Sequence, residues 1–465
     1  MSYTTIDKPS DYFNTVLYTG NGSTQSITGV GFQPDWVWLK QRSGSSNHRC
    51  YDSVRGATKQ IYPNLNNAEN TETNGLTSFD SDGFSLGNEG GHNENSQTFA
   101  SWNWLAGGSA PAITYSVKVV SDSGNKYRFD DFGTSAVTLD LQEGGTYTFD
   151  QSDSSNSGHP LRFSTTSDGT HGVGSEYTTN VTTTGTPGSA GAKTVITVGS
   201  GVATLYYYCT QHSGMGGQAN TNSTFGSSNF SGSIQSTVSA NTTSGFSIVT
   251  WSGNSSSATI GHGLGTVPKM HIVKRRTNGT GNWLTYHAGL SANNYLYLNE
   301  SDAQSSTGYA NRIPNPPTSS VFSVGSDNDT NGSNDYVAYV FAEKKGYSKI
   351  GSYTGNGNAN GTFVYNGFKP SFILGKSASG TSAPYENWFI YDNKRNTFNP
   401  TFNVLFPNRG NAEGTNSAQS LDLLSNGFKA KSVETRFNES GTTYIFMAFA
   451  ENPFVTSTGI PTTAR

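Results

Sequence analysis

Residues 18–40 read YTGNGSTQSITGVGFQPDWVWLK, and this stretch decides the fold because two later stretches repeat it. Residues 251–274 read WSGNSSSATIGHGLGTVPKMHIVK, and residues 353–376 read YTGNGNANGTFVYNGFKPSFILGK. Each begins with an aromatic residue and a Gly-Asn turn, passes through a β-rich segment and a proline, and ends in a strand closed by lysine. Such self-similarity indicates repeated structural units.

The three units also end alike. Residues 98–108 read TFASWNWLAGG, residues 336–346 read YVAYVFAEKKG, and residues 443–453 read TYIFMAFAENP, which are apolar strands typical of a sandwich core. Each unit spans about 90–110 residues, the size of an independent domain. Turn dipeptides such as Asp82-Gly83 and Asn426-Gly427 separate short strands. We therefore predict an all-β protein with three related, independent β-sandwich repeats of the jelly-roll type.

The composition fits this interpretation and excludes several classes of protein. Of 465 residues, 32% are hydrophobic and only 13% charged, whereas 55 are Gly and 12% aromatic. The net charge of −4 without a basic stripe argues against nucleic-acid binding, and no apolar run approaches the ~18 residues of a membrane span. The opening MSYTTIDKPSDYF has no secretory signal, so we expect export only by a route such as virion assembly.

The segment 113–218 does not resemble the repeats and predicts a second kind of β-sandwich. It ends in YYYCTQHSGMGG, where Cys209, His212 and Met215 have the spacing Cys-x2-His-x2-Met, and His159 lies upstream. A blue-copper site needs one thiolate, two imidazoles and a weak axial thioether, which are these residue types. Zinc on the same residues is the alternative.

This segment resembles a cupredoxin, since the Tyr-x-Cys-x2-His-x2-Met loop that begins at Tyr207 closes the domain and His159 precedes a strand. The resemblance implies a Greek-key sandwich with a type 1-like copper site. It implies these ligands: His159, Cys209, His212 and Met215. The other interpretation is that the fold is kept without use of the metal, because the chain offers no evident electron-transfer partner.

A second candidate metal site is the segment 326–335, SDNDTNGSND. Asp327, Asp329, Asn331 and Gly332 match four positions of an EF-hand calcium loop. Ala338 stands where the bidentate Glu should be, which excludes an EF-hand. We favour an Asn/Asp-rich turn over an irregular calcium site.

Two further groups are candidate ligand-binding residues. The sequence Tyr-Asp-x-x-Arg occurs twice and supplies the pairs Asp52–Arg55 and Asp392–Arg395. They are either sugar-binding residues or, as we favour, intradomain salt bridges. Trp283 and Trp388 lie in loop-like stretches and are candidates for stacking on sugar rings, whereas the other tryptophans are expected in the core. No catalytic motif is found, so we expect no enzymatic activity.

Long stretches of the repeats, such as GVGFQPDWVWLKQRSG, YDSVRGATKQIYPN and YVAYVFAEKKGYSKIGSYTGNG, resemble a family of tailed-phage virion proteins, notably from marine phages. The resemblance implies lectin-like, concanavalin-type sandwiches in a tail fibre or another part of the particle. The expected partners are other virion proteins, further copies in a homotrimer, and host surface glycans bound by weak multivalent contacts. A capsid decoration (head fibre) protein and a copper-dependent redox module are the alternatives.

The predicted domain organisation has four units and a tail. Repeats 2 and 3 should form a rigid tandem, and repeat 1 should anchor the chain in the particle. The predicted bounds are 1–108 for repeat 1, 113–218 for the cupredoxin-like insert, 229–346 for repeat 2, 347–456 for repeat 3, and 457–465 for the tail.

Overall fold

The structure is a computed structural model that describes residues 4–380 and 386–453. The predicted tail, 457–465, lies outside the described residues. The described chain is nearly all β, which confirms the predicted fold class. Its three α-helices have four residues each, and no helix in this part of the chain is long and apolar enough to cross a membrane. The helices are α1 (Gly90–Asn93), α2 (Tyr309–Arg312) and α3 (Thr435–Asn438).

Repeat 1 is a sandwich of two antiparallel sheets. Its larger sheet has the strand order β1-β9-β3-β4 and its smaller sheet the order β2-β8-β7, with a separate hairpin of β5 and β6. Asp82-Gly83 forms the predicted turn between β7 and β8. The strands are β1 (Phe13–Thr19), β2 (Gln25–Thr28), β3 (Trp36–Gln41), β4 (Arg49–Asp52), β5 (Lys59–Gln60), β6 (Asn70–Thr71), β7 (Leu76–Asp80), β8 (Gly83–Leu86) and β9 (Thr98–Trp104).

The insert consists of two five-stranded sheets with the orders β11-β10-β13-β17-β16 and β12-β19-β18-β14-β15. One pair in each sheet is parallel, β10 with β13 and β12 with β19, and the other strand pairs are antiparallel. The strands are β10 (Ala112–Ser121), β11 (Asn125–Phe129), β12 (Leu139–Gln142), β13 (Thr146–Asp150), β14 (Leu161–Ser164), β15 (Glu176–Tyr177), β16 (Val181–Thr184), β17 (Lys193–Thr197), β18 (Leu205–Cys209) and β19 (Gly217–Asn222).

Repeat 2 reproduces the larger sheet of repeat 1 in the order β22-β28-β24-β25 and extends it with β21 and β20 on one side and β26 on the other. Its smaller sheet is reduced to β23 and β27. The strands are β20 (Ser227–Asn229), β21 (Ser236–Asn241), β22 (Phe246–Ser252), β23 (Ala258–Gly261), β24 (Met270–Arg275), β25 (Leu284–His287), β26 (Leu296–Tyr297), β27 (Val321–Val324) and β28 (Asp335–Phe341).

Repeat 3 has the sheets β29-β35-β31-β32 and β30-β34-β33, which match the two sheets of repeat 1 strand for strand. The strands are β29 (Ser348–Thr354), β30 (Phe363–Tyr365), β31 (Phe368–Ser377), β32 (Phe389–Asp392), β33 (Leu421–Leu424), β34 (Gly427–Ala430) and β35 (Thr443–Pro453).

The three repeats share one hydrophobic core, which the sequence analysis did not predict. Each larger sheet turns one face to its own smaller sheet and the other face to the larger sheets of the other two repeats. Trp36 of repeat 1 stacks on Tyr339 of repeat 2 at 4.2 Å between ring centroids, and Phe13 of repeat 1 stacks on Phe449 of repeat 3 at 4.9 Å. Each repeat keeps a core between its own two sheets, but the additional shared core contradicts the prediction that the repeats are independent domains.

The repeats contact one another in a closed ring, which we call the three-repeat body. Repeat 1 contacts repeat 2, repeat 2 contacts repeat 3, and repeat 3 contacts repeat 1 through equivalent backbone hydrogen bonds of 2.8–2.9 Å. These bonds run from Glu69 N to Arg276 O, from Gln304 N to Ala378 O, and from Glu413 N to Arg42 O. A single chain thus contains three equivalent junctions, which link the three repeats into a ring.

The insert keeps a core of its own and packs against one side of the body. Tyr115 of the insert donates a hydrogen bond to the backbone oxygen of Ser228 on β20, and Thr237 on β21 donates to Asp140. Phe230, just after β20, joins the insert's core. The additional strands of repeat 2 therefore serve as the platform for the insert.

Candidate functional site

The structure brings three of the four predicted metal ligands together at one end of the insert. His159 lies in the loop between β13 and β14, Cys209 is the last residue of β18, and His212 follows in the loop to β19. Leu161, two residues after His159, is paired with Cys209 in the register of β14 and β18. Strand pairing thus places a residue distant in sequence beside the Cys-x2-His loop.

The distances within this cluster fit a metal ion. The Sγ atom of Cys209 lies 3.7 Å from Nδ1 of His212 and 3.9 Å from Nδ1 of His159, and all three ligand atoms lie within 4.8 Å of one another. A metal about 2.0–2.3 Å from a nitrogen and a sulfur in a trigonal plane holds these two atoms about 3.8 Å apart. The cluster therefore needs little rearrangement to enclose an ion.

The burial of the four residues differs along the site. Cys209 is fully buried and Met215 is 1% exposed, whereas His159 is half-buried and His212 is exposed. Met215 contributes to the core of the insert beneath the loop. Because Cys209 is buried and His212 is exposed, an ion can reach the site from solvent past the His212 ring. Burial and the neighbouring His212 lower the pKa of His159.

A hydrogen-bonded shell holds the ligand loops in place. The backbone oxygen of His159 accepts from the Tyr127 hydroxyl at 2.9 Å and from the Gln151 side chain at 2.8 Å. His171 contacts the backbone oxygen of Cys209 through Nε2 at 3.0 Å, and Asp168 accepts from the backbone N–H of Gly214 at 2.9 Å. These contacts fix both loops before any ion binds.

No spacing pattern in the sequence indicates this supporting shell. His171 is separated from Cys209 by 38 positions and belongs to no spacing pattern, so only the fold shows that the two meet. The same holds for Gln151, whose Oε1 also accepts from Leu161 N at 3.1 Å.

The Asp-x-x-Arg pairs are internal ion pairs, so the sugar-binding interpretation was wrong. Asp52 with Arg55 and Asp392 with Arg395 are completely buried at the junctions between repeats. Each aspartate also accepts a hydrogen bond from the next repeat: Asp52 from the Tyr339 hydroxyl at 2.7 Å, and Asp392 from Trp102 Nε1 at 3.0 Å. No face of either pair is open to a ligand.

A glutamate completes each of these two networks. Glu69 contacts Arg55 of its own repeat and Arg276 of repeat 2, and Glu413 contacts Arg395 of its own repeat and Arg42 of repeat 1. Burial by itself would raise the pKa of Glu69, but the two arginines lower it to about 2. Each network is thus an Arg–Glu–Arg bridge across a junction.

Trp283 and Trp388 are not available to sugars, which corrects the prediction for both. Their exposed fractions are 0% and 1%. Trp283 Nε1 donates to the backbone oxygen of Tyr62 in repeat 1, and Trp388 Nε1 donates to that of Tyr297 in repeat 2, both at 2.9 Å. The two tryptophans occupy equivalent positions and fasten neighbouring repeats to each other.

The segment 326–335 is a turn closed by its own hydrogen bonds. Asp327 accepts from the backbone N–H of Asp329 and pairs with Arg312 at 3.2 Å, while Asp329 accepts from the backbone N–H of Asn282. The Asn331 side chain donates to Asn254 and to the Ser256 backbone. These contacts match the favoured turn interpretation rather than a calcium site.

Comparison with known proteins shows the family of the chain. The sequence model of the family described as Domain of unknown function (DUF7483) matches residues 8–128 and 218–453. The matched segments contain the three repeats, and the unmatched interval contains His159, Cys209, His212 and Met215. No curated protein and no solved structure matches the chain. Since the match covers most of its length, the chain belongs to the family of the Domain of unknown function (DUF7483).

Proposed function

We propose that this chain is a non-catalytic structural protein of a phage virion, a tail-fibre or adhesion component that contacts host surface glycans. The observation that carries the proposal is the closed three-repeat body with its shared aromatic core. Three sandwiches that bury their larger sheets against each other form a rigid block whose smaller sheets all face outward. A rigid block with several outward sheets suits repeated weak contacts with a cell surface.

The threefold repetition inside one chain also bears on how it joins a particle. Phage fibres are expected to be symmetric oligomers, and a homotrimer of this chain is part of the proposal. The internal ring of three equivalent junctions offers a monomeric alternative, in which one chain occupies a threefold position by itself. Sedimentation equilibrium separates the two, because a homotrimer has three times the 49.5 kDa mass of the chain.

The experiment that tests the virion proposal is localisation in purified particles. Antibodies against the three-repeat body should label tails, and mass spectrometry of gradient-purified particles should recover its peptides at constant stoichiometry. Labelling of the head instead would favour the capsid-decoration alternative. Absence of the chain from particles that contain the other structural proteins would overturn the proposal.

Deleting residues 1–108 tests the predicted anchor. The shared core includes Trp36, Trp38, Trp102 and Trp104 of repeat 1, so this deletion should unfold the body as well as remove an anchor. A substitution of exposed residues on the outer sheet of repeat 1 is the better variant, since it leaves the core intact. The anchor hypothesis requires that such a variant fold and fail to enter particles.

The second candidate function is copper binding by the insert, favoured by the Cys209–His159–His212 geometry. Bound copper would supply one-electron transfer. Cys209, His159, His212 and Met215 would hold the ion, and Tyr127, Gln151 and His171 would keep the loops in position.

Metal titration of the full chain tests this candidate. One equivalent of Cu(II) should produce an intense visible thiolate-to-copper absorption, and Cys209→Ser should abolish it. Met215→Leu should retain the ion with an altered spectrum, because only a weak thioether ligand is lost. Tight, colourless Zn²⁺ binding with no Cu(II) absorption would assign the site to zinc, and absence of any bound metal would remove the candidate.

A further inference from the structure

The smaller sheets of repeats 1 and 3 have the same strand order but very different outer faces. In the described residues, three aromatic side chains are exposed, and all of them lie in repeat 3: Phe363 (43%), Tyr365 (57%) and Phe398 (84%). Phe363 and Tyr365 flank the buried Val364 on the edge strand β30, so both rings project from the outer face of the sheet.

The strand register defines the rest of this face, which we call the repeat 3 platform. Phe363 is opposite Lys429, which is opposite Asp422; Tyr365 is opposite Gly427, which is opposite Leu424. Lys429, Asp422 and Leu424 are half-buried and alternate with buried neighbours, so they point outward as well. The platform therefore carries two aromatic rings, one leucine, one cation and one anion around a glycine.

Gly427 keeps the centre of the platform low. A Cβ at this position would lie 2.0 Å from the backbone oxygen of Val364 and 3.1 Å from the Phe363 ring. Any side chain here would therefore collide with strand β30. The glycine leaves no side chain between Tyr365 and Leu424, its neighbours in the strand register.

Repeat 1 shows what the same face contains without aromatic residues. Ser26 and Thr28 stand at the positions of Phe363 and Tyr365, as the shared pairing of Ile27 with Phe84 and Val364 with Phe428 shows. The Ser26 and Ser85 hydroxyls are 3.0 Å apart, and Ser85 and Ser78 both donate to Asp80. This face is occupied by its own hydrogen bonds, so the aromatic rings of repeat 3 are not a requirement of the fold.

We propose that the repeat 3 platform binds a neutral hexopyranose glycan. The inference rests on the proposed adhesion function and names the binding surface for it. The apolar C–H face of a pyranose ring packs on Phe363 and Tyr365, while its hydroxyls bind Lys429 as donor and Asp422 as acceptor. Lys429 has no ion-pair partner among the described residues, and Asp422 meets Lys431 only at 3.6 Å.

The size and charge of the platform select this ligand over a protein. Three strands about 4.8 Å apart and two outward residues about 7 Å apart along each strand give a face of about 10 Å by 7 Å. A stable protein interface needs about 800 Å² per partner, many times this area. Asp422 is opposite Lys429 and pairs with Lys431 at 3.6 Å, so this face offers hydrogen-bond donors and an acceptor side by side, which suits a hydroxyl-rich ligand.

The test is an array of immobilised neutral gluco-, manno- and galacto-oligosaccharides, with sulfated and uronic-acid oligosaccharides on the same surface, probed with the full chain. Wild-type protein should bind at least one neutral class. The double variant Phe363→Ser/Tyr365→Thr, which installs the repeat 1 residues, should lose at least tenfold in binding with an unchanged melting temperature. The matched control Ser26→Ala/Thr28→Ala in repeat 1 should bind as the wild type does.

Three outcomes would refute glycan binding by the platform and leave the virion proposal intact, since particle localisation tests that proposal separately. The wild type could bind no neutral oligosaccharide, it could prefer sulfated oligosaccharides, or the double variant could bind as well as the wild type. A change of sedimentation mass in the double variant would show that the face is instead a contact between copies of the chain. Lys429→Gln should weaken neutral-glycan binding less than loss of the two rings, because it removes only a hydrogen-bonding charge.

Discussion

The two junctions made by repeat 1 carry buried charges, whereas the junction between repeats 2 and 3 has neutral residues at every equivalent position. His287 stands where Asp52 and Asp392 stand, and it contacts the Phe446 backbone oxygen of repeat 3 at 3.1 Å. The other charged positions are also replaced at this junction. Leu290 replaces Arg55 and Arg395, Gln304 replaces Glu69 and Glu413, and Ala378 replaces Arg276 and Arg42.

The donor to the aspartate is also replaced. Tyr339 and Trp102 donate to Asp52 and Asp392, but Met447 occupies this position in repeat 3 and has no N–H or O–H to donate. A buried aspartate facing Met447 would lack one of its hydrogen-bond donors, which is energetically unfavourable for a buried carboxylate. His287 at this position avoids that loss. At each junction the aspartate, its arginine, the glutamate and the arginine of the next repeat thus form a matched set, whose members are present together or replaced together.

The largest effect is expected from breaking one charged set. Arg55→Leu leaves the buried carboxylates of Asp52 and Glu69 without their shared partner, and we expect the free energy of unfolding to fall by about 3–5 kcal/mol. Guanidinium unfolding of the full chain measures this. The exposed pair Lys118–Asp131 supplies the control, because Lys118→Ala breaks an ion pair in solvent and should leave the unfolding midpoint nearly unchanged.

Converting the four charged positions together is the next test. The variant Asp52→His/Arg55→Leu/Glu69→Gln/Arg276→Ala gives these four positions at the junction of repeats 1 and 2 the residues found between repeats 2 and 3, while Tyr339 is kept. It should recover at least half of the stability lost in Arg55→Leu, since no buried charge is left unpaired. A quadruple variant less stable than the single variant would refute the matched-set interpretation.

A smaller effect is expected at the junction tryptophans. Trp283→Phe removes an N–H that has two acceptors in repeat 1, Tyr62 O and Leu65 O, whereas Trp388→Phe removes one with a single acceptor, Tyr297 O. Both should lower the free energy of unfolding by about 1–3 kcal/mol, because buried carbonyl oxygens lose their donor. Equal stability of either variant and the wild type would contradict the assigned role.

The smallest effect, measured per pH unit, is a pH dependence set by buried lysines. Lys274 donates to Asn66 O of repeat 1 and Lys376 to Ser301 O of repeat 2, and burial lowers the pKa of each to about 7. Between pH 7 and 10 the unfolded chain therefore holds protons that the folded chain has released, so stability should rise with pH in this window. Below pH 7 the two lysines are protonated in both the folded and the unfolded state, so their effect on the pH dependence of stability vanishes.

Thermal unfolding of the wild type and Lys274→Met between pH 6 and 9 measures this dependence. Above pH 7 the free energy of unfolding should increase with pH more steeply in the wild type than in Lys274→Met. The difference in slope should be less than about 1.4 kcal/mol per pH unit, which is the limit for the release of one proton. Parallel pH profiles of the two proteins would show that Lys274 keeps its ordinary titration in the fold.

Much of this architecture could be read from local patterns, because repeats, turns and strand alternation are local properties of the chain. The four units and the Cys-x2-His loop were predicted in this way. The shared core was not, although β3 (WVWLKQ) and β9 are buried on both faces rather than on alternate residues. A strand buried on both faces indicates a covering layer on each side, and the second layer is another repeat.

The ligand sites were harder to predict, since exposure depends on what the rest of the chain covers. Trp283 and Trp388 follow asparagines in irregular stretches, yet each inserts into the neighbouring repeat. Phe363 and Tyr365 alternate like core residues on a strand, and only the outward face of β30 makes them accessible. No local pattern distinguishes a strand face that meets another layer from one that meets solvent.

Three repeats fold as one body around a shared core, and the insert folds around a core of its own. Hydrogen-exchange mass spectrometry of Arg55→Leu against the wild type tests it directly, because the substitution lies in repeat 1. The account predicts faster exchange in β9, β28 and β35 of all three repeats, with β13 and β18 of the insert unchanged. Faster exchange confined to repeats 1 and 2, with β35 protected as in the wild type, would contradict it.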